Sequence, residues 1–233
     1  MSKTEIIKNL YIQKKFTKRE ISDKISKLRY YIIERLVNSM MNFEEFEEKT
    51  ISRKEIFKGQ IIDVVLDEVR LPNGETSTRE LVFHPGAVAV IPITADNKMI
   101  MVKQFRKPME KVILEIPAGK IDPGEQNHPK ETAERELEEE TGYRANTFTF
   151  VTSMYVSPGF ANELLHIYYA ESLEKVPNPR PKDDDEILEL YTVTLEEAKA
   201  AIDSGLICDA KTIFAVQYWE LQQLKALFKE DEQ

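Results

Sequence analysis

Residues 119–143 read GKIDPGEQNHPKETAERELEEETGY, and this stretch decides what kind of domain surrounds it. Its second half holds five glutamates within seven residues, with Arg135 as the one positive charge among them. Glu136, Glu139 and Glu140 stand at i, i+3 and i+4, which places their carboxylates on one face of a helix. Like charges at this spacing destabilise a helix by roughly 0.2–0.5 kcal/mol per pair.

A bound cation would offset the electrostatic repulsion among these carboxylates. The predicted helix ends at Gly142, so Glu139 and Glu140 also lie at its negative end, where the helix dipole disfavours acidic side chains. Carboxylate oxygens without cysteine or histidine partners are typical ligands of hard cations. The pattern therefore predicts a magnesium site, with manganese (Mn2+) as second choice. The alternative is a solvated acidic helix face, which is the commoner fate of a glutamate run.

The stretch resembles the Nudix box, which is a glycine, five residues, a glutamate, seven residues, and then Arg-Glu-aliphatic-x-Glu-Glu-x-Gly-aliphatic. Gly119 and Glu125 have the required spacing, and the segment from Arg135 to Tyr143 follows the second half in register, with an aromatic residue at its last position. The chain departs in one respect, because nine residues separate Glu125 from Arg135. Two extra residues around 127–129, in the loop before the helix, account for the difference.

The resemblance implies a Nudix hydrolase that uses Mg2+ to split a pyrophosphate. The metal ligands it implies are the carbonyl of Ala118 and the carboxylates of Glu136, Glu139 and Glu140. Glu139 would also take part in catalysis, Glu125 would be an outer ligand, and Arg135 would hold the glutamates by ion pairing. Metal ions would then polarise the pyrophosphate and orient a water for in-line attack on phosphorus.

Three flanking features resemble the ADP-ribose pyrophosphatase branch of this family. Pro158 lies sixteen residues beyond Gly142, residues 114–119 (LEIPAG) lead into the box, and residues 79–93 (RELVFHPGAVAVIPI) lead into the central sheet. The resemblance implies hydrolysis of ADP-ribose to AMP and ribose 5-phosphate. The alternatives are another nucleoside-diphosphate-linked substrate, such as a nucleotide sugar or a dinucleotide, a non-catalytic Nudix-like regulator, and an unrelated protein with an acidic helix.

The same branch suggests further site residues and a homodimer. Arg79 and Glu80 would reach the adenine of the neighbouring subunit's ligand through an exchanged N-terminal sheet, and Arg106 is a candidate contact to the substrate phosphates. Pro158 is a fourth candidate for substrate binding. The catalytic base would come from an acidic loop after the box. Asp185 and Glu186 are the choices within the run that begins at Asp183.

Hydrophobic periodicity supplies the expected fold. The predicted strands are 54–58, 60–70, 75–83, 86–93, 98–105, 112–116, 148–156, 164–170 and 187–193, and the predicted helices are 128–141, 195–204 and 210–228. This mixture indicates the α+β class. With the resemblance, it implies an α/β/α sandwich around a mixed central sheet. The expected parts are a basic helical extension (1–40), a small antiparallel sheet for dimerisation (41–85) and the Nudix hydrolase domain (86–233).

Charge and composition limit the partners. The net charge is −9, although residues 1–40 carry ten lysines and arginines against four acids, so the body is strongly acidic. Such a body is a poor surface for nucleic acid, and no apolar run approaches the length of a membrane span. A single cysteine, Cys208, fits a reducing cytoplasm. The role of residues 1–40 stays open, and Met41 is a plausible alternative start.

Overall fold

The structure is a computed structural model that describes residues 27–28, 30–32, 43–182 and 187–230, with side chains described through residue 227. Most of the helix predicted over residues 1–40 lies outside the described residues, and the five described positions within it are helical. Asp185 and Glu186 also lie outside them. No described helix has the length and hydropathy needed to span a membrane.

The chain forms two compact units. One comprises the chain up to Arg53 and Asp67–Thr78, and the other comprises Lys54–Leu66 and the chain from Arg79 onward. Helix α1 (Phe43–Phe46) precedes a three-stranded sheet in the order β1 (Lys49–Lys58), β2 (Asp63–Arg70) and β3 (Thr76–Phe83). In the first unit, the buried Asp67 carboxylate accepts hydrogen bonds from Nε and Nη2 of Arg53, both at 2.7 Å.

The second unit contains two further sheets. Their strands are β4 (Ala87–Pro92), β5 (Met99–Arg106), β6 (Lys111–Glu115), β7 (Ala118–Lys120), β8 (Tyr143–Tyr155), β9 (Leu164–Lys175) and β10 (Leu188–Val193). One sheet has the order β7-β4-β9-β8, and the other has the order β10-β5-β6. Strands β4 and β9 are parallel, whereas β4–β7 and β8–β9 are antiparallel, so the predicted mixed sheet is confirmed.

Three helices cover the mixed sheet on both faces. They are α2 (Pro129–Thr141), α3 (Leu195–Asp203) and α4 (Ala210–Glu230). Every residue of β4 is buried, and its alternate side chains enter different cores. Val88 and Val90 belong to the core that includes Leu137 of α2. Ile91 belongs to the core that includes Trp219 of α4. This alternation is what a central strand requires, and it gives the expected α/β/α sandwich.

The helix ends follow the sequence closely. Thr194 and Glu197 form the predicted capping box, and Oδ2 of Asp209 accepts a hydrogen bond from the backbone N–H of Thr212 at 3.2 Å, as an N-cap does. Gly142 ends α2 with φ of 73°, and Gly205 follows α3 with φ of 71°. Glycine tolerates these left-handed conformations without steric cost.

The strand limits were predicted less well. Strand β7 was missed because three residues leave no periodic pattern. Strand β8 begins at Tyr143 and β9 extends to Lys175, several residues beyond the predicted limits on each side. These ends pair with each other and are largely exposed, so they lack the apolar alternation on which the prediction depended. Strand β1 begins earlier than predicted, at Lys49, and is exposed along its whole length.

Candidate active site

Several side chains of helix α2 are buried, and two of them are glutamates. Ala133 and Leu137 are fully buried against the mixed sheet. Glu136 and Glu140 are also buried, with 8% and 1% of their surface exposed. Burial of ionised carboxylates is costly unless a cation or hydrogen-bond donors compensate them. The negative charges of Glu136 and Glu140 therefore require a nearby cation or hydrogen-bond donors.

Arg135 forms ion pairs with three carboxylates near the start and along one face of α2, those of Glu125, Glu136 and Glu139. Its Nη1 lies 2.9 Å from Oε1 of Glu136 and 2.7 Å from Oε2 of Glu139, and its Nη2 lies 3.2 Å from Oε2 of Glu125. The two-residue insertion therefore leaves Glu125 in contact with the same guanidinium. Burial lowers the pKa of Arg135, but the carboxylates outweigh that effect and raise the pKa overall.

Glu125 is held by two further donors at the start of α2. Its Oε2 accepts hydrogen bonds from Oγ1 of Thr132 at 3.0 Å and from the backbone N–H of Asp122 at 3.3 Å. Burial raises the pKa of Glu125, whereas the hydrogen bonds from Arg135 and Thr132 lower it, and the net shift is downward. Glu125 is consequently ionised at neutral pH, as a metal-associated carboxylate needs to be.

Strand β7 lies directly behind the glutamates. The backbone N–H of Ala118 donates to Oε2 of Glu140 at 3.2 Å. A Cβ added at Gly119 would overlap the carboxylate of Glu136, so this position accepts a glycine because the carboxylate occupies the space. Ala118 and Gly119 therefore lie next to the principal candidate ligands, and the metal-ligand role of the Ala118 carbonyl stays a prediction.

The donor set fits a divalent cation. Glu125, Glu136, Glu139 and Glu140, here called the box carboxylates, provide hard oxygen donors, and the first three contact the Arg135 guanidinium. Within the described parts of the chain, no three acidic or histidine side chains already form a metal-binding group. The fit therefore rests on the chemistry of the donors, their burial and the excess of negative charge.

Two adjoining cavities border this site. The first has a volume of about 580 Å³ and is lined in part by Arg135, Glu136 and Phe105. The second has a volume of about 460 Å³ and is lined in part by Ser157 and Lys211. His84, Arg106, Ala118, Gly119 and Lys120 line both cavities. A ligand at these shared residues would contact β7 and lie beside the box carboxylates.

Arg106 lies at this junction, but its guanidinium is already oriented. Its Nε and Nη2 donate to the two carboxylate oxygens of Glu115 at 2.6 and 3.0 Å. Burial lowers the pKa of Arg106, whereas Glu115 and, to a smaller extent, Glu140 and Asp209 raise it, and the net shift is upward. The arginine therefore stays charged, and Glu115 fixes the direction in which it faces.

The other predicted substrate residues lie outside the two cavities. Arg79 and Glu80 are on β3, where Arg79 is half-buried and Glu80 is exposed. Pro158 is exposed in the loop after β8, whereas the adjacent Ser157 lines the second cavity. The loop is fixed to β3, since the backbone N–H of Val82 donates to the carbonyl of Phe160 at 2.8 Å.

The candidates for the catalytic base, Asp185 and Glu186, fall on residues that the structure does not describe. Ile187, which follows them directly, lines the first cavity together with Glu136. The acidic run is therefore followed directly by a residue, Ile187, that lines the first cavity.

Sequence reasoning missed three residues that line or support the cavities, namely His84, Glu115 and Lys211. The His84 Nδ1 accepts a hydrogen bond from the backbone N–H of Gly86 at 3.1 Å, which requires the ring proton to be on Nε2. The His-Pro-Gly turn was a usable signal for His84. A lone glutamate inside the apolar run of residues 112–116 was one for Glu115.

Glu138 points away from the other glutamates and has its own partners. Its carboxylate is buried and accepts hydrogen bonds from Nε of Arg144 at 2.7 Å and from the backbone N–H of Arg180 at 3.1 Å. The hydrogen bond from Arg144 lowers the pKa of Glu138 more than burial raises it. This glutamate is therefore charge-compensated within the protein.

Comparison with known families agrees with this geometry. Residues 83–213 match the NUDIX domain, and residues 48–82 match the nucleoside diphosphate sugar hydrolase N-terminal domain. The chain belongs to the Nudix family. The match begins at Phe83, where β3 ends, and it includes α2 and both cavity-forming sheets of this Nudix domain.

Individual Nudix relatives cover most of the chain. The ADP-ribose pyrophosphatase of Bacillus subtilis (strain 168) is 51% identical over 77% of this chain and 96% of its own length. The methanol dehydrogenase activator of Bacillus methanolicus is 52% identical over 76% of this chain and 95% of its own length. A solved structure of an ADP compounds hydrolase has a TM-score of 0.68 at 23% identity, covers 78% of this chain and 96% of that one, and shows the shared fold alone.

Proposed function

We propose that this Nudix protein hydrolyses the diphosphate of ADP-ribose to AMP and ribose 5-phosphate with Mg2+. The observation that carries the proposal is the cluster of box carboxylates, three of them paired with Arg135, next to two adjoining cavities of about 580 and 460 Å³. The substrate assignment is supported by the 51% identical relative that is named an ADP-ribose pyrophosphatase. The single cysteine supports a cytoplasmic location.

Each group at the site has a distinct task in this proposal. Glu136 and Glu140 would hold the cation, with Glu139 and the carbonyl of Ala118 completing its oxygen ligands. When bound, Mg2+ neutralises charge on the diphosphate and favours attack of a water on phosphorus. Arg135 keeps the carboxylates together, and Arg106 donates to a phosphate oxygen.

Asp185 and Glu186 are proposed as the source of the general base. The support is that Ile187, the next residue, lines the cavity that Glu136 also lines. We expect Asp185→Asn or Glu186→Gln to reduce kcat by roughly 10²-fold or more, in the range that removal of a general base produces. Unchanged kcat in both variants would contradict this source of the base.

A homodimer is proposed on the basis of β1. The strand is exposed along its whole length and carries Ile51, Ile56 and Phe57, each about half exposed. An exposed edge strand that carries three apolar side chains is available for pairing with a second copy. In such a dimer Arg79 and Glu80 would contact the partner's nucleotide. Sedimentation equilibrium should give the mass of two chains, and a monomer would contradict the proposal.

The proposed reaction is tested with a substrate panel. Purified protein is assayed with Mg2+ on ADP-ribose, a nucleoside diphosphate sugar and a dinucleotide, and the released nucleoside monophosphate and sugar phosphate are quantified. We expect the highest kcat/KM for ADP-ribose, with AMP and ribose 5-phosphate in equal amounts. If ADP-ribose is not among the best substrates, the substrate assignment is wrong while the hydrolase assignment stands.

A nucleoside diphosphate sugar is the second candidate substrate. It is favoured by the match of residues 48–82 to the N-terminal domain of nucleoside diphosphate sugar hydrolases. The panel separates the two candidates because their products differ in the sugar phosphate released. Mn2+ in place of Mg2+ is tested on the same panel.

A further inference from the structure

We propose that Lys211 is a second cationic contact to the substrate diphosphate, and that the buried Glu115 is the positioning residue for both Lys211 and Arg106. The inference rests on the proposed diphosphate hydrolysis. Three separate elements form this group, since Glu115 ends β6, Arg106 ends β5 and Lys211 lies in the first turn of α4. Arg106 and Lys211 are here called the cationic wall.

Burial of the Glu115 carboxylate is energetically unfavourable. Only 1% of its surface is exposed, and its chain neighbours Leu114 and Ile116 are both buried in the core. Its carboxylate accepts hydrogen bonds from Nε and Nη2 of Arg106 and from Nζ of Lys211. A buried ion pair contributes little to stability compared with an apolar side chain of similar volume. We therefore assign Glu115 the task of orienting the two cations.

The cationic wall has donors left over after these contacts. Lys211 uses one N–H on Glu115 and another on Oδ2 of Asp209 at 2.9 Å, so its third N–H stays available. Nη1 of Arg106 makes no hydrogen bond with any described residue. Both side chains line the cavity of about 460 Å³. Two oriented donors at one wall match two oxygens of a phosphate.

The two cations are more exposed to solvent than the carboxylate that holds them. The exposed fraction of the side chain is 39% for Arg106 and 14% for Lys211, but 1% for Glu115. The cations therefore face the cavity, while the carboxylate that holds them lies behind. The same cavity reaches Ala118 and Gly119, which contact the box carboxylates. A diphosphate at this junction can meet the cationic wall and the cation held by the box carboxylates.

The experiment measures kcat and KM for the Lys211→Met and Glu115→Gln variants. We expect each variant to raise KM roughly 10-fold, with kcat changed by less than about 3-fold. Lys211→Met removes a charge-assisted hydrogen bond to substrate, and Glu115→Gln weakens the ion pairs that orient Arg106 and Lys211. Lys211→Arg keeps the positive charge and should recover most of the affinity. The matched control is Lys199→Met, because Lys199 also pairs with a glutamate, Glu220, at 2.7 Å but lies outside both cavities.

The double variant tests the positioning role. If Glu115 acts through Lys211 and Arg106, the effects of Glu115→Gln and Lys211→Met on KM are less than multiplicative. Unchanged KM in Lys211→Met, or the same KM shift in Lys199→Met, would overturn the proposal. Fully multiplicative effects would overturn the positioning role of Glu115. If circular dichroism shows that Lys211→Met does not fold, Lys211→Gln replaces it.

Failure of the inference is distinguishable from failure of the proposed substrate. The ratios of variant to wild-type KM are measured on whichever compound of the panel the wild-type protein hydrolyses fastest. A wild-type protein that rejects ADP-ribose therefore still tests the cationic wall. A wild-type protein that prefers ADP-ribose, with a Lys211→Met variant of unchanged KM, would remove the inference alone.

Discussion

The box carboxylates and the cationic wall border adjoining cavities, since Glu136 lines the first and Lys211 lines the second, and the two groups differ in how their charge is balanced. In the first group three carboxylates contact the Arg135 guanidinium, and the fourth, Glu140, accepts a hydrogen bond from the backbone N–H of Ala118. In the second, Arg106 and Lys211 are matched by Glu115 and Asp209. A buried group with excess negative charge requires an added cation, whereas a balanced group does not. The difference supports the proposals that the box carboxylates bind a cation and that the cationic wall contacts the anionic substrate.

The largest expected effect comes from removing charge at the unbalanced group. Glu140→Gln keeps the shape of a residue that is 1% exposed, but it removes a candidate metal ligand. We expect kcat to fall by roughly 10³-fold or more with the fold retained. Steady-state kinetics and thermal unfolding measure the two quantities. The control is Glu134→Gln on the same helix, where the side chain is half exposed and pairs with Lys130.

A smaller effect is expected from moving one carboxylate without removing its charge. In Gly119→Ala, the new Cβ overlaps the Glu136 carboxylate and displaces it. We expect kcat/KM to fall by roughly 10- to 100-fold, since misplacement by about 1 Å costs that much, and Mn2+ binding measured by electron paramagnetic resonance to weaken. Gly159→Ala is the control, because its added Cβ meets no atom within 4 Å. Unchanged Mn2+ affinity in Gly119→Ala would contradict the proposal that Glu136 is a metal ligand.

The smallest effect concerns the one glutamate of α2 that resembles the balanced group. Glu138→Gln should lower the free energy of unfolding at pH 7 by about 1–3 kcal/mol, because it removes the charge that accepts hydrogen bonds from the Arg144 guanidinium and from the backbone N–H of Arg180. The lowered pKa of Glu138 means that this contribution is present above the unfolded pKa and is lost as pH falls through the folded value. The difference in the free energy of urea unfolding between the two proteins should therefore shrink as pH falls below about 4.3, the ordinary pKa of Glu, and disappear below the folded pKa of Glu138.

Two controls sharpen this last prediction. Glu131→Gln changes a side chain that is 75% exposed, and its unfolding free energy should stay within about 0.5 kcal/mol of wild type. A Glu138→Gln difference that stays constant from pH 7 to pH 3 would contradict the charged state of Glu138. The same variant should keep the Mn2+ affinity of the wild type, since Glu138 points away from the box carboxylates.

The sequence by itself determined the parts of the site that depend on local spacing. Glu136, Glu139 and Glu140 share a helical face because i, i+3 and i+4 positions do so in any α-helix. The helix ends at Thr194, Asp209 and Gly142 followed from side-chain capping and glycine backbone freedom, which also act within a few residues.

Tertiary structure alone decided which distant residues meet. Lys211 and Glu115 are 96 positions apart in the chain, and no periodic pattern connects them. The position of Glu125 was uncertain because of the two-residue insertion, and only the folded loop places it on Arg135. Arg106 was chosen from its place in the chain, but its orientation depends on Glu115. Local spacing specifies a helix face, whereas the second wall exists only after β5, β6 and α4 have packed together.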